Sequence, residues 1–328
     1  MTVRWDDVDA RARGLASRLL SREAIAGLRR TGDLRQLSQE LVRLGVVSEE
    51  VPEPRGAVLE LALRRAAARQ LHVVRRWLGH RLDVVAVALD AEDRRSLRAL
   101  VRGAAAGVHP DARLIGLMPT PMLPERLLRD LAAQSRIRDQ AVLLVAAGHP
   151  TGQALLTAAA PQEPDLFAVE LAIARAFAER AVRGARRGGK FLRGYVGDLI
   201  DAENFRTALL LAGRTGGEPP GPMFIAGGRR LGPELFGRAA SADDPVSAAR
   251  LLGRELGDGE MAALLLRHAD QPAALEAALE ERETDGLMHA ARLDPLGPAP
   301  LLLYLRRLRA QMAELGELVW ERDLEAAS

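Results

Sequence analysis

Apolar residues return every three or four positions along most of this chain, the rhythm of helices that bury one face. Leu15, Leu19 and Leu20 open one stripe, and Leu34, Leu37, Leu41 and Leu44 form the next. Further helices are predicted over 58–77, through Leu61 and Leu63, and over 170–183. Turn-forming residues punctuate these segments: PEP at 52–54, HPD at 109–111, PTPMLP at 119–124, HPTG at 149–152 and GGEPPGP at 216–222. No segment alternates long enough to argue for a strand. The best strand candidate, 84–88, reads equally well as one buried helical turn. Aromatic residues make up only 3% of the chain, so Leu, Ala and Val must build the core, a mixture that favours helix. The predicted fold class is all-α.

The polar positions carry a second, longer pattern. LDAEDRRSLRALVRG at 89–103 is echoed by IDAENFRTALLLAGR at 200–214. Asp90, Glu92, Asp93 and Arg95 of the first answer to Asp201, Glu203, Asn204 and Arg206 of the second. AVLELALRRA at 57–66 recurs as FAVELAIARA at 167–176 and, more faintly, as PAALEAALEE at 272–281, with Glu60, Glu170 and Glu276 in register. MLPERLL at 122–128 likewise resembles LGPELFG at 231–237. A period of roughly 110 residues is too long for tetratricopeptide or HEAT units of about 34 to 47. A chain of 328 residues is also larger than one growing core supports. The expectation is one small helical domain written three times, over 1–110, 111–220 and 221–328.

Charge and composition narrow the chemistry. Basic and acidic residues number 46 and 44, for a net charge of +2, and Lys190 is the single lysine. The sequence pI of about 9.6 therefore reflects the high pKa of arginine. Arg, Glu and Asp read as interleaved along solvated helix faces, so nucleic acid is not an expected partner. With no cysteine there are no disulfides, thiol nucleophiles or thiolate-held metals. The six histidines form no i, i+4 pair, so neither a metal site nor a cofactor is expected. GARRGGKF at 184–191 matches G-x-x-x-x-G-K, but Phe191 stands where a phosphate loop needs a hydroxyl, and a helix rather than a strand precedes it. It reads better as a helix C-terminus with Arg183, Arg186 and Arg187 near the carbonyl end. No Gly-x-Ser-x-Gly elbow occurs, and carboxylates sit beside arginines at helical spacing, so catalysis is not expected. The N-terminal MTVRWDDVDARARG has no apolar h-region, and the longest apolar run, AVLLVAA at 141–147, is far short of the roughly 20 residues that span a bilayer. A cytoplasmic chain is expected, one that meets a membrane only through a partner.

Over almost its whole length the chain resembles the C subunit of V-type and A-type rotary ATPases, called subunit d in eukaryotes. YVGDLIDAENFRTALLLAG at 195–213 carries the family pattern of a helix with an acid, an Asn and a basic residue. LDAEDRRSLRALVRGAAAG at 89–107 is its counterpart in the first third. AGHPTGQALL at 147–156, PMFIAGGRRLGPELF at 222–236 and DPLGPAPLLLYLRRLRAQ at 294–311 follow in family order, and the likeness is weakest over 1–55. The resemblance implies three similar helical-bundle domains around a pseudo-threefold axis, forming a funnel. It also implies a non-catalytic subunit, one copy per complex, that sits on the membrane rotor ring and receives the foot of the central shaft. Gln311, Met312, Ala313 and Glu314 depart from the pattern, occupying the places of Glu203, Asn204, Phe205 and Arg206. The C-terminal helix also lacks the basic, looping tail associated with the family.

The repeated motif admits two readings. On a helix, Glu92 and Arg95 share a face, as do Glu203 and Arg206. Asp90 and Asp201 follow apolar runs, where a helix is expected to kink or restart with the Asp as N-cap. The cluster either locks the last helix of each domain onto its neighbours or lines the funnel and touches the shaft. For shaft contact, Arg98, Arg102 and Arg214 are the candidates. Outside the family, the alternative is a free-standing helical scaffold that recruits soluble partners.

Overall fold

The computed structural model describes residues 5–49, 51, 53–214 and 219–327, with the backbone alone at 6, 80, 83–85 and 327. Among these residues every regular element is helical. The chain opens with three short helices, α1 (Asp6–Ala16), α2 (Arg22–Leu28) and α3 (Leu34–Arg43). A long pair follows, α4 (Gly56–Leu78) and α5 (Leu82–Ala105). The single turn α6 (Pro110–Arg113) leads to α7 (Glu125–Ala132), α8 (Ile137–Ala146) and α9 (Gly152–Ala158). A second long pair comes next, α10 (Leu166–Ala185) and α11 (Gly189–Leu211). Then α12 (Pro233–Ala240), α13 (Pro245–Leu256) and α14 (Gly259–Arg267) precede a third pair, α15 (Pro272–Leu293) and α16 (Ala299–Ala327). The strand candidate at 84–88 lies inside α5. Of the expected breaks, residue 52 and residues 216–218 fall outside the described set.

Local chemistry sets many of the ends. Asp33, Asp165, Asp244 and Asp258 each cap a helix by accepting from an N–H of its first turn, worth about 1 kcal/mol apiece. Proline opens α12, α13 and α15, where its missing N–H would have had no intrahelical partner.

The core is divided rather than continuous. The halves of the long helices nearest their connecting turns meet in one central core. It holds Leu71, Val74 and Leu78 of α4, Phe177 and Ala185 of α10, Leu192 and Val196 of α11, and Leu301 to Leu308 of α16, with Val8 and Ala12 of α1 packed alongside. The opposite halves diverge into three separate cores. One joins Leu97 and Leu100 of α5 to α7, α8 and α9 and to Val169 of α10. The next joins Phe205 and Leu209 of α11 to α12, α13 and α14 and to Leu275 of α15. The last joins Leu315 and Leu318 of α16 to α2 and α3 and to Leu59 and Leu63 of α4. Each outer core therefore takes the end of one long pair, a set of short helices and the start of the next pair, and the last closes on the first. Three long helix pairs are gathered at their turns and splayed at the other end: α10 packs along α11 and α15 along α16, whereas α4 packs on α16 and α5 on α10. At about 1.5–3 kcal/mol for each fully buried Leu, every outer core is a substantial joint.

The echoed glutamates occupy equivalent places. Glu60, Glu170 and Glu276 are each the fifth residue of the first long helix of a pair. Each faces the second long helix of another pair: Glu170 holds Arg98 and Arg102 of α5, Glu276 lies 4.0 Å from Arg206 of α11, and Glu60 accepts from the Trp320 indole of α16.

Candidate functional site

The repeated motif sits on α5 and α11, where the long pairs meet. Glu92 and Arg95 pair at 3.1 Å, and Glu203 pairs with Arg206, so the i, i+3 face read from the sequence is present in both copies. Each glutamate also takes an arginine from another copy. Arg94 of α5 reaches Glu203 at 2.9 Å, and Arg309 of α16 reaches Glu92 at 3.3 Å. Arg98 lies 3.1 Å from Glu170 and 3.5 Å from Glu203, and Arg95 also holds Glu280 of α15. The Arg94 guanidinium rests 4.7 Å above the Phe177 ring, which fixes it against the central core. These groups are buried or half-buried and tie α5, α10, α11, α15 and α16 together.

The expectation that Asp90 and Asp201 begin helices is corrected. Both lie inside unbroken helices, and both carboxylates are used sideways. Asp90 pairs with Arg180 of α10. Asp201 accepts from the backbone N–H groups of Arg229 and Arg230 at 2.8 Å and of Leu231 at 3.2 Å, so it caps a neighbouring loop and not its own helix. That loop must pass close by: a Cβ at Gly228 would run into the Asp201 carboxylate. Asn204 completes the clamp, donating to the Ile225 carbonyl at 2.8 Å and accepting from the Ile225 N–H at 2.9 Å. In the first copy Asp93 accepts from the Thr120 hydroxyl and lies 3.5 Å from His149 Nε2, whose Nδ1 accepts from the Thr151 N–H. In both copies the motif pins the chain that returns from the long pair.

The third copy uses its departures. Arg309 occupies the place of Asp90 and Asp201, and supplies the guanidinium on Glu92. Gln311 accepts from the Leu20 N–H at 2.6 Å, and Glu314 pairs with Arg29 at 2.9 Å, so this stretch of α16 turns toward the N-terminal helices.

Electrostatics follow from burial set against company. Burial pushes the Glu203 carboxyl up, but Arg94, Arg206 and Arg98 outweigh it and hold the group down at about 2. Burial pushes Asp90 up to about 6, against the pull of Arg180 and with a further push from Asp93. Arg98 and Arg309 are both lowered, by burial first, with Glu203 and Glu92 respectively as the main opposing charges.

Beside this network lies a cavity of about 1320 Å³ between α5, α11, α14, α15 and α16. Ten basic and ten acidic side chains line it. The acids concentrate on α15, with Glu276, Glu280, Glu281, Glu283 and Asp285; Lys190 of α11 also lines the cavity, as do Arg229 and Arg230 of the loop before α12, which sit beside Asp198 and Asp258. Tyr195 donates to Glu283 at 2.7 Å, and Arg306 reaches Glu280 at 3.0 Å, bracing the acidic wall against α11 and α16.

The three arginines singled out for a shaft fall in different settings. Arg98 is 8% exposed and fully engaged, so it presents no free guanidinium. Arg102 is half-exposed but holds Glu170 through both nitrogens, at 2.5 and 2.6 Å. Arg214 is exposed in the turn after α11. The GARRGGKF stretch forms the end of α10 and the turn into α11, with helix on both sides. No described helix is long and apolar enough to cross a membrane. Sequence reasoning misses Arg94, Arg309 and the α15 carboxylates, because their partners lie on helices distant in the chain. The sequence signal that points to α15 is the echo at Glu276.

Gathered helix pairs, outer cores that close in a circle and a charge-balanced cavity beside them define an all-helical fold built on three long helix pairs. The family model for the ATP synthase (C/AC39) subunit matches residues 8–315, and the chain belongs to that family, a subunit of rotary ATPases. It is 30% identical over 214 residues to the V-type ATP synthase C subunit of Thermus thermophilus, with the same figures in two strains of that organism. The matched stretch covers 65% of this chain and 63% of the length of each relative.

Proposed function

We propose that this chain is the non-catalytic central-axis subunit of a V/A-type rotary ATPase. It couples the rotating shaft to the membrane rotor ring and so supports proton or sodium transport linked to ATP synthesis or hydrolysis. It stands on the cytoplasmic side as a single copy, attached to the membrane through the ring. Its three long helix pairs with their short helices are three copies of one unit around a pseudo-threefold axis, and the splayed end is the mouth of a funnel. The observation that carries the reading is the charge-balanced cavity, braced on one wall by Tyr195 and Arg306 and on the other by the motif arginines. A shaft that seats there is rotated with the coupler and needs no reactive group. A lone subunit on a symmetric ring meets non-equivalent patches, which suits charged, adaptable contacts.

The test is a pull-down of purified shaft and ring across a salt series. Shaft binding is expected to weaken as the Debye length shrinks from roughly 10 Å at 0.1 M to 3 Å at 1 M, with helical content unchanged. Reversal of Glu276 and Glu281, or of Arg214, is expected to weaken it more than reversal of Arg126 on the outer face of α7. Binding to neither component under any condition assigns the chain to the free-scaffold alternative.

A further inference from the structure

Pairing the long helices regroups the charge. Along the chain, basic and acidic residues look evenly mixed, yet residues 61–82 and 180–197 contain six basic residues each and no acid. Residues 286–313 hold four arginines and one acid, Asp294. These windows are the three turns between the paired long helices, with their flanking helix halves. The turns share one end of the molecule, because Leu78, Ala185, Leu192 and Leu301 all enter the central core. Helix α1 lies across two of them: Arg81 pairs with Asp7, and Arg13 donates to the Pro295 carbonyl at 2.6 Å. Exposed at this end are Arg75, Arg76, Arg183, Arg186, Lys190 and Arg193, together with Arg292. Among the described side chains, which do not include those of Asp6 and Asp83, the exposed acids at or bordering these turns are few. Asp7 is paired with Arg81, Glu179 lies 4.0 Å from Arg183, Asp198 lies 3.6 Å from Arg229, Asp285 precedes the last turn, and Asp294 lies within it between Leu293 and Leu296.

A second, independent feature coincides with the first. Leu293 and Leu296, 74% and 61% exposed, stand on the α15–α16 turn at this same end. With Leu324 they are the most exposed large apolar side chains among the described residues. Trp77, under the Arg11 guanidinium at 5.6 Å, borders the first turn. One end that carries exposed basic residues, two protruding leucines and an indole has the composition that lies in the interface of an anionic bilayer. A purely polar partner surface would leave the leucines uncovered, and a neutral bilayer would leave the basic residues unused.

We propose that the gathered end of the three long helix pairs docks directly on an anionic lipid surface, with Leu293 and Leu296 entering the headgroup region and the exposed basic residues of this end holding acidic headgroups. No described helix spans the bilayer in this arrangement. This contact would add to the attachment through the ring proposed above and does not depend on it, so a pull-down failure with shaft or ring leaves it standing. Each basic residue near such a surface contributes about 1 kcal/mol, a factor of roughly five in partitioning.

Sedimentation of the full chain with sucrose-loaded vesicles tests this. Vesicles with roughly one-third phosphatidylglycerol are expected to bind at least tenfold more protein than pure phosphatidylcholine at about 0.1 M salt. The triple reversal Arg186→Glu, Lys190→Glu, Arg193→Glu is expected to lower partitioning more than about 100-fold. Leu293→Ser with Leu296→Ser is expected to lower it about tenfold and to make the remainder fully salt-sensitive. Arg250→Glu with Arg254→Glu, exposed on α13 over an outer core, is the control and should stay within about threefold. All these side chains are exposed, so helical content by circular dichroism should match the parent. Equal binding to both vesicle types, or a control variant as impaired as the tip variant, overturns the proposal. Tip-dependent binding to detergent-purified ring with none to vesicles overturns it too, in favour of an acidic protein surface.

Discussion

Glu203 is the position at which the buried network is most sensitive to a single change. Its carboxylate meets Arg94 at 2.9 Å, Arg98 at 3.5 Å and Arg206, and it is held at about 2 from an ordinary 4.5. A depression of that size corresponds to about 3 kcal/mol in favour of the charged, folded form. The sign is that of a depressed carboxylate: the stabilisation is complete above the unfolded-state value near 4.5 and is lost as pH falls through about 2. Glu203→Gln keeps the shape and leaves three guanidinium groups without their shared anion. The expected cost at pH 7 is about 3–5 kcal/mol, the usual loss when one partner of a buried pair is removed. For a chain of this size that is a fall in Tm of roughly 6–15 °C. Thermal melts followed by circular dichroism from about pH 7 to about pH 3.5 read both quantities. The linkage contribution should shrink from about 3 to about 2 kcal/mol over that range, so the gap between parent and variant should narrow below about pH 4.5. A Tm change under about 1 °C at neutral pH, or a gap that stays constant down to about pH 3.5, would falsify the network as drawn. Arg98→Met should cost less than Glu203→Gln, because burial already penalises the Arg98 charge.

Asp90 should behave in the opposite sense. A carboxyl raised to about 6 binds its proton more tightly when folded, so its contribution is present below about 3.8 and is lost as pH rises through 6; Asp90→Asn should therefore gain on the parent in Tm between about pH 5 and pH 8. A relative loss over that span refutes the assignment. Asp201→Ala strands three backbone N–H groups, each worth about 1.5–3 kcal/mol against a carboxylate, and should collapse amide-exchange protection at Arg229, Arg230 and Leu231. Unchanged protection there sinks the capping role. Isothermal titration with magnesium-ATP should show no specific heat, since Phe191 replaces the metal-binding hydroxyl. Micromolar affinity lost in Lys190→Ala would reverse that reading.

The helices were legible because periodicity is local: Leu34, Leu37 and Leu41 mark α3, and the stripe read from Val58 marks α4, where Leu63 is buried although Val58 itself is exposed. The i, i+3 pairs were legible for the same reason, since Glu203 and Arg206 need only one turn of helix to meet. What lay outside local reach was missed. Asp201 looked like an N-cap because the amides it serves are a loop away, at 229–231. That Leu28 and Leu37 meet Leu318 leaves no trace in any local pattern, because the halves of this outer core come from opposite ends of the chain. Charge was misjudged by the same averaging. The acid-free windows at 61–82 and 180–197 were visible in the sequence, but they become one basic face only when the turns are gathered.

The third copy of the motif explains why the network is not held by three identical clusters. Three copies of Asp-Ala-Glu-Asx-x-Arg would supply a glutamate from each second long helix, and every such glutamate needs an arginine from another copy. Glu203 obtains Arg94 from the copy before it, whereas Glu92 sits in the first copy and has no earlier one to draw on. The chain must close from its far end. Arg309 does this by standing where the other copies have an aspartate, reaching Glu92 at 3.3 Å. Had α16 kept an aspartate there, it would have brought a second carboxylate toward Glu92, and like charges in a buried setting are costly. With Gln311 in the glutamate position, α16 makes no such demand of its own and bonds the Leu20 N–H instead. The divergence of the third copy is thus the condition for closing the network, and Arg309→Asp should open it at Glu92 while leaving the Glu203 cluster intact. A double-mutant cycle reads this directly: the Tm cost of Glu203→Gln should be the same in the Arg309→Asp background as in the parent, and strong coupling between the two would show that the clusters are one unit.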